Sequence, residues 1–210
     1  MPERGRLAQL GERGVRNAEV GSSNLLPSTI YSAMPERPGA SGVQVDFIAD
    51  CMLGRLAKWL KILGFDVLYF PKAEDKDLVE ISRRENRVLL TRDTGLIEKT
   101  KKRAGRLFVE SDDWRDQVVQ VLDEYDLWDS VRPNSRCLDC NKPLKPLPKP
   151  RARNLVTPHI LETAASFAMC PGCGRVFWPG SHYGDMEAKI AALLKARGRG
   201  PASCRCRLPG

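Results

Sequence analysis

Residues 47–64 read FIADCMLGRLAKWLKILG. Phe47, Ile48 and Ala49 form a short apolar run that stops at an acid, Asp50. Leu53, Leu56, Ala57, Leu60 and Leu63 then recur at helical spacing. Arg55, Lys58 and Lys61 fall on the other faces of that helix, and Gly64 follows its last apolar position as the left-handed residue that ends helices. The stretch is therefore a strand, an acid and a helix, with Asp50 at the carboxyl end of the strand. In open parallel sheets that edge binds ligands, because loops converge there while the core stays closed. An acid in the same place also serves as a helix N-cap, and one residue does not separate the two roles.

Downstream the same alternation continues. A strand is expected over Phe65–Phe70 and a helix over about Asp75–Glu85, with Leu78, Val79 and Ile81 on one side and Asn86 as its stop. A strand over Arg87–Thr91, a short helix over Leu96–Lys102 and a strand over Leu107–Val109 follow. A helix over about Asp112–Tyr125 closes the series, with Ser111 as its N-cap and Trp114, Val118, Val121, Leu122 and Tyr125 at helical spacing. Trp114 and Trp128 read as core. Strands alternating with helices through short connections predict an α/β domain with a mainly parallel sheet between helical layers.

Two further acids fall on the edge marked by Asp50. The run RVLLTRD is an apolar strand that leads to Asp93, and Asp75 opens the helix after the second strand. Each alone could be a cap; Asp77, followed directly by Leu78 and Val79, stays a solvated acid. Carboxylates gathered from three loops repel one another unless a cation neutralises them, and oxygen ligands select Mg²⁺ or Mn²⁺. Such a site activates water and stabilises a phosphate undergoing in-line displacement. Arg92, next to Asp93, is placed either to touch a phosphate or to pair with Asp50 or Asp75 and neutralise the cluster.

The strongest single motif is Cys137-Leu-Asp-Cys140 with Cys170-Pro-Gly-Cys173. Two CxxC knuckles supply four thiolates for a closed tetrahedral Zn²⁺ site, structural because it keeps no open position. Between them Lys142, Lys145, Lys149, Arg151 and Arg153 occur without an acid, in a proline-rich stretch read as extended and able to track a phosphate backbone. Its competing reading is a solvated linker. After the second knuckle, Trp178 and His182 are candidates for stacking on bases or touching phosphate, and Trp178 equally for packing over a small zinc ribbon. A helix is expected from about Met186 to Ala196, with Ile190, Leu193 and Leu194 on its apolar side.

The chain of 210 residues carries 34 Lys and Arg against 26 Asp and Glu, a formal charge of +8. That balance favours a polyanionic partner such as nucleic acid. No apolar run reaches the roughly 18 residues of a membrane span. The seven cysteines are an odd number that argues against a closed disulfide framework and for a reducing cytoplasm. Residues 1–42 and 198–210 lack either periodicity and read as disordered. MPER occurs at Met1 and again at Met34, which makes Met34 a candidate start.

Taken together, DCMLGRLAKWLKILGFDV, then DKDL, then ENRVLLTRD resembles the RNase domain at the C-terminus of Mut-seven type exonucleases, a PIN-like nuclease domain that also occurs as a stand-alone prokaryotic protein. The resemblance covers Val45 to about Ala192 and extends to WPGSHY. It implies a PIN-like domain over 43–131 followed by a zinc ribbon with a C-terminal helix over 132–197. By position it assigns the catalytic acids to Asp50, Asp75 and Asp93, holding Mg²⁺ or Mn²⁺ for RNA hydrolysis, with Asp112 or Asp113 as sources of a fourth carboxylate. Many PIN nucleases carry a further Glu between the first two acids; here only Asp66 and Glu74 lie there. The expected nucleic-acid contacts are Arg55, Lys58 and Arg92, with the inter-knuckle cations, Trp178 and His182. The alternative is a catalytically inactive RNA-binding adaptor of the same fold. A receiver domain expects an acidic pair after the first strand, where Asp50 is followed by Cys51.

Overall fold

The computed structural model describes residues 45–100, 105–180 and 183–195; the readings made for 1–42, for His182 and for 198–210 lie outside the described residues. Two compact units are formed. The first is built on four parallel strands, β1 (Phe47–Ala49), β2 (Val67–Tyr69), β3 (Val88–Thr91) and β4 (Arg106–Phe108), in the order β2-β1-β3-β4. Ile48 stands opposite Leu68 on one side and Leu89 on the other. Phe47, Ile48 and Ala49 are fully buried, as both faces of a parallel sheet require.

The connecting helices are α1 (Gly54–Ile62), α2 (Asp75–Arg84), α3 (Thr94–Lys99) and α4 (Trp114–Glu124). Ile48 and Leu89 pack with Leu78 of α2 and Leu96 of α3. Phe47 meets Phe65 and Tyr125 edge-on at 6.4 and 5.7 Å. Trp59 of α1 stacks on Trp114 of α4, with ring centroids 4.1 Å apart and planes 9° from parallel. Helices thus cover both faces of the sheet, and each fully buried Leu or Ile contributes about 1.5–3 kcal/mol.

Local chemistry explains where the elements stop. The first helix does not begin as one piece: a 3₁₀ turn, Cys51–Leu53, precedes α1. At the junction stands Gly54, where a Cβ would lie 2.6 Å from the Tyr69 hydroxyl oxygen and would make that ring shift. That hydroxyl donates to the Cys51 carbonyl at 3.1 Å. Gly64 takes φ +99°, and a Cβ would lie 2.4 Å from the Arg132 carbonyl oxygen. Asn86 ends α2's turn at φ +50°. The cap of α4 is Asp113, whose carboxylate accepts from Arg115 N; Ser111 instead accepts from Asp113 N and donates to Asp116. Lys61 is no solvent-facing residue of α1, being 8% exposed.

The second unit has three antiparallel strands, β5 (Lys145–Leu147), β6 (Phe167–Met169) and β7 (Val176–Phe177), in sequence order. Two short helices, α5 (Lys149–Ala152) and α6 (Pro158–Thr163), lie between β5 and β6. The basic stretch is therefore extended only at β5. Pro150 lies in the first turn of α5, where a missing N–H costs nothing. Leu147, Ala152, Ala164 and Phe167 form this unit's core. Helix α7 (Tyr183–Lys195), whose residues from Lys189 onward group with the first unit, buries Ile190 and Leu193 but leaves Leu194 exposed. No helix of the described residues is long and apolar enough to cross a membrane.

Candidate active site and metal centre

The carboxyl edge of the parallel sheet collects the acids that the sequence singled out. Asp50 leaves β1, with its N–H donating to Leu90 O at 3.0 Å. Asp50 is 4% exposed, and its carboxylate accepts from Met52 N at 3.2 Å and from the Thr91 hydroxyl at 2.7 Å. Asp50 is thus a cap and a buried acid at once. Thr91 Oγ1 also accepts from Asp93 N at 2.9 Å. One fully buried hydroxyl therefore joins the acid after β1 to the acid after β3. Sequence reasoning passed over Thr91, although its place two residues before Asp93 at a strand's end was the available signal.

Asp93 caps α3, its Oδ1 accepting from Gly95 N at 2.6 Å and Leu96 N at 3.1 Å. Asp75 opens α2 with its side chain 48% exposed and 3.6 Å from Lys99 Nζ. Asp75 and Lys99, with Lys76, Val79 and Leu96, line a groove between α2 and α3. The exposed Cys51 thiol has its pKa raised, first by its hydrogen bond with Asp50, then by burial and by the negative charges of Asp50 and Asp75. Asp50 and Asp75 thus act on one group. The acids form no ligand group as tight as the cysteines among the described residues. Each is instead tied to its own protein partner.

The remaining candidates have partners of their own. Arg92 pairs with Asp112, and not with Asp50 or Asp75, and reaches Glu110 O at 3.4 Å. Asp112, the candidate fourth ligand, is held by that guanidinium. Asp66 is not an edge acid, because it precedes β2 at the amino end of the sheet. It accepts there from Arg87 at 2.6 Å, Arg136 at 3.0 Å and Asn141 at 2.7 Å. Glu74 pairs with Lys76 at 2.7 Å. Arg55 lies over the Trp114 ring at 5.4 Å, and Lys58 is exposed.

In the second unit Lys142, Lys145, Lys149, Arg151 and Arg153 are all exposed. Lys149 donates to Glu162 O at 3.5 Å, and the stem of Lys142 lies against Gly172. Trp178 is partly buried and packs on the core of Leu147, Ala152, Ala164 and Phe167, the packing role of its two readings.

Cys137, Cys140, Cys170 and Cys173 offer sulfur atoms that all lie within 4.8 Å of one another. Each knuckle has the turn that such a site needs. Asn141 N returns to Cys137 O and Gly174 N to Cys170 O, both at 2.9 Å. Cys140 N points to the Cys137 sulfur at 3.5 Å and Gly172 N to the Cys170 sulfur at 3.4 Å. Four soft thiolate donors with backbone N–H groups turned towards them fit a tetrahedral Zn²⁺. The acids of the sheet edge offer oxygen donors, the kind that hard cations such as Mg²⁺ or Mn²⁺ select, but their oxygens do not gather as closely as the four sulfurs.

A family model described as Mut7-C RNAse domain matches residues 45–190. A search of curated proteins finds no match.

Proposed function

The chain belongs to the Mut7-C RNAse domain family, and from that premise we propose that it is a metal-dependent ribonuclease whose catalytic acids are Asp50, Asp75 and Asp93. The observation that carries this reading is the Thr91 hydroxyl, which links the buried Asp50 carboxylate to Asp93 at the carboxyl edge of the sheet. Asp50, Asp75 and Asp93 would hold Mg²⁺ or Mn²⁺, with Asp112 available as a fourth oxygen ligand. A cation held there supplies Lewis acidity towards the attacking water and the scissile phosphate. Asp50 is oriented by Thr91 and Met52 N, and Asp93 by the amino end of α3, so both carboxylates are preorganised. Lys99 and Arg92, paired with Asp75 and Asp112, lie within reach of a phosphate backbone entering the edge.

Arg55 and Lys58, with Lys142, Lys145, Lys149, Arg151 and Arg153, would position RNA through its phosphates without reading its sequence. The assignment gives residues 43–131 the chemistry and 132–197 a scaffold built on Zn²⁺ bound by the four cysteines, with Trp178 as part of its packing. Thiolate ligands suit a reducing cytoplasm.

Purified protein given end-labelled RNA with Mn²⁺ should cleave it. EDTA should abolish cleavage, and Asp93→Asn should lower it by two or more orders of magnitude. Undiminished cleavage by the variant would refute the site. One observation favours a second reading, a catalytically inactive RNA-binding adaptor: the cations on Asp75 and Asp112 already neutralise two of the acids. Folded, zinc-loaded protein that binds RNA with a steep salt dependence yet cleaves nothing would select it.

A further inference from the structure

Lys61 contradicts the pattern of its own helix. Arg55 and Lys58 of α1 are exposed, whereas Lys61 is 8% exposed. Its Nζ donates to Leu138 O at 3.3 Å. Leu138 is the second residue of the first knuckle, between Cys137 and Cys140, so an ammonium from α1 is delivered into a loop 77 residues further along the chain. Burying a cation is costly unless an anion stands near it. The carboxylate whose charge acts on Lys61 is Asp66, and Asp66 already accepts from Arg87, Arg136 and Asn141. Cys137 and Cys140, on either side of Leu138, are the other groups that act on it once they are ionised.

Four thiolates around a divalent cation leave a net charge of −2, in a site where Cys137 and Cys170 are fully buried. A fixed cation close by stabilises such a charge, as the backbone N–H groups on the sulfurs also do. We propose that Lys61 is a positioning residue of the cysteine metal centre: its ammonium offsets the charge of the metal-loaded thiolates and holds the knuckle backbone through Leu138 O. The inference rests on the reading that the four cysteines take Zn²⁺. It makes metal loading and the parallel unit interdependent, since the same ammonium is penalised in the stripped protein and relieved in the loaded one.

The test uses the full chain as wild type, Lys61→Met and Lys61→Arg. Zinc affinity is read by competition with a chelator of known affinity, and thermal unfolding is followed in loaded and chelator-stripped protein. Lys61→Met should weaken zinc binding by about 10–100-fold, the usual cost of losing an outer partner of a metal ligand. It should also shrink the stabilisation that zinc provides, while the stripped variant is no less stable than stripped wild type. Lys61→Arg should stay closer to wild type in affinity. A general packing role would instead lower both forms together and leave affinity unchanged; that result, or unchanged affinity alone, overturns the proposal. Should Lys61→Met not fold, Lys61→Gln is judged by the same affinity ratio. Wild-type protein that takes up no zinc would overturn the reading of the cysteines, and the proposal with it.

Discussion

Replacing Thr91 by Val keeps the shape of a fully buried side chain and removes the hydroxyl that joins two acids. The lost bonds are a donation to the Asp50 carboxylate at 2.7 Å and an acceptance from Asp93 N at 2.9 Å. A hydrogen bond to a charged group contributes about 1.5–3 kcal/mol and a neutral one about 1 kcal/mol. The added methyl returns about 0.8 kcal/mol of burial. Thr91→Val should therefore cost roughly 2–3 kcal/mol. Thr91→Ser keeps both bonds and loses one methyl, at about 1 kcal/mol. Urea unfolding of zinc-loaded protein, followed by tryptophan fluorescence and circular dichroism, gives both values. In RNA cleavage Thr91→Ser should stay near wild type, and Thr91→Val should fall because Asp50 and Asp93 lose their shared anchor. Thr91→Val as stable as Thr91→Ser would refute the reasoning.

Other expectations follow from the same geometry. Burial first, and then the charge of Glu124, pushes Tyr125 up to about 12, above the unfolded value near 10. The stability this supplies is complete below about pH 10 and is lost as pH rises towards about 12. Urea midpoints across that window should fall more steeply for wild type than for Tyr125→Phe, and equal slopes would contradict the assignment. Gly64→Ala places a Cβ 2.4 Å from Arg132 O at φ +99° and should cost at least about 2 kcal/mol in the same urea measurement. Metal analysis should find one zinc per chain in wild type, and a large loss of zinc in Cys137→Ser and Cys170→Ser, since three thiolates no longer close the site. Retention of full zinc by either variant would exclude the four-cysteine site.

Much of the parallel unit was legible because its signals are local. A run of three apolar residues ending in Asp50, helical spacing from Leu53 to Leu63, and Gly64 and Asn86 at positive φ can each be read within one or two turns of chain. The two CxxC pairs carry their chemistry in their spacing. What escaped was decided at a distance. Lys61 looks like any polar-face lysine until Leu138 arrives 77 residues later, and Asp66 looks like a spare acid until Arg136 and Asn141 close on it. Thr91 gains its meaning only when β1 and β3 become neighbours. The cap of α4 fell between Ser111 and Asp113 because both side chains can cap, and they divide the work. In the inter-knuckle stretch proline suggested an extended chain, yet at the first turn of α5 the same residue favours a helix.

The most direct measurement is Mn²⁺ binding to zinc-loaded protein, read from the electron paramagnetic resonance of free Mn²⁺, for wild type and for Asp50→Asn, Asp75→Asn and Asp93→Asn. It tests the shared carboxylate site without any choice of RNA. Saturable binding in wild type that weakens by about tenfold or more in each variant is the predicted result. Binding that is equal in all four proteins, or absent from wild type, would contradict a metal-dependent nuclease centred on these acids.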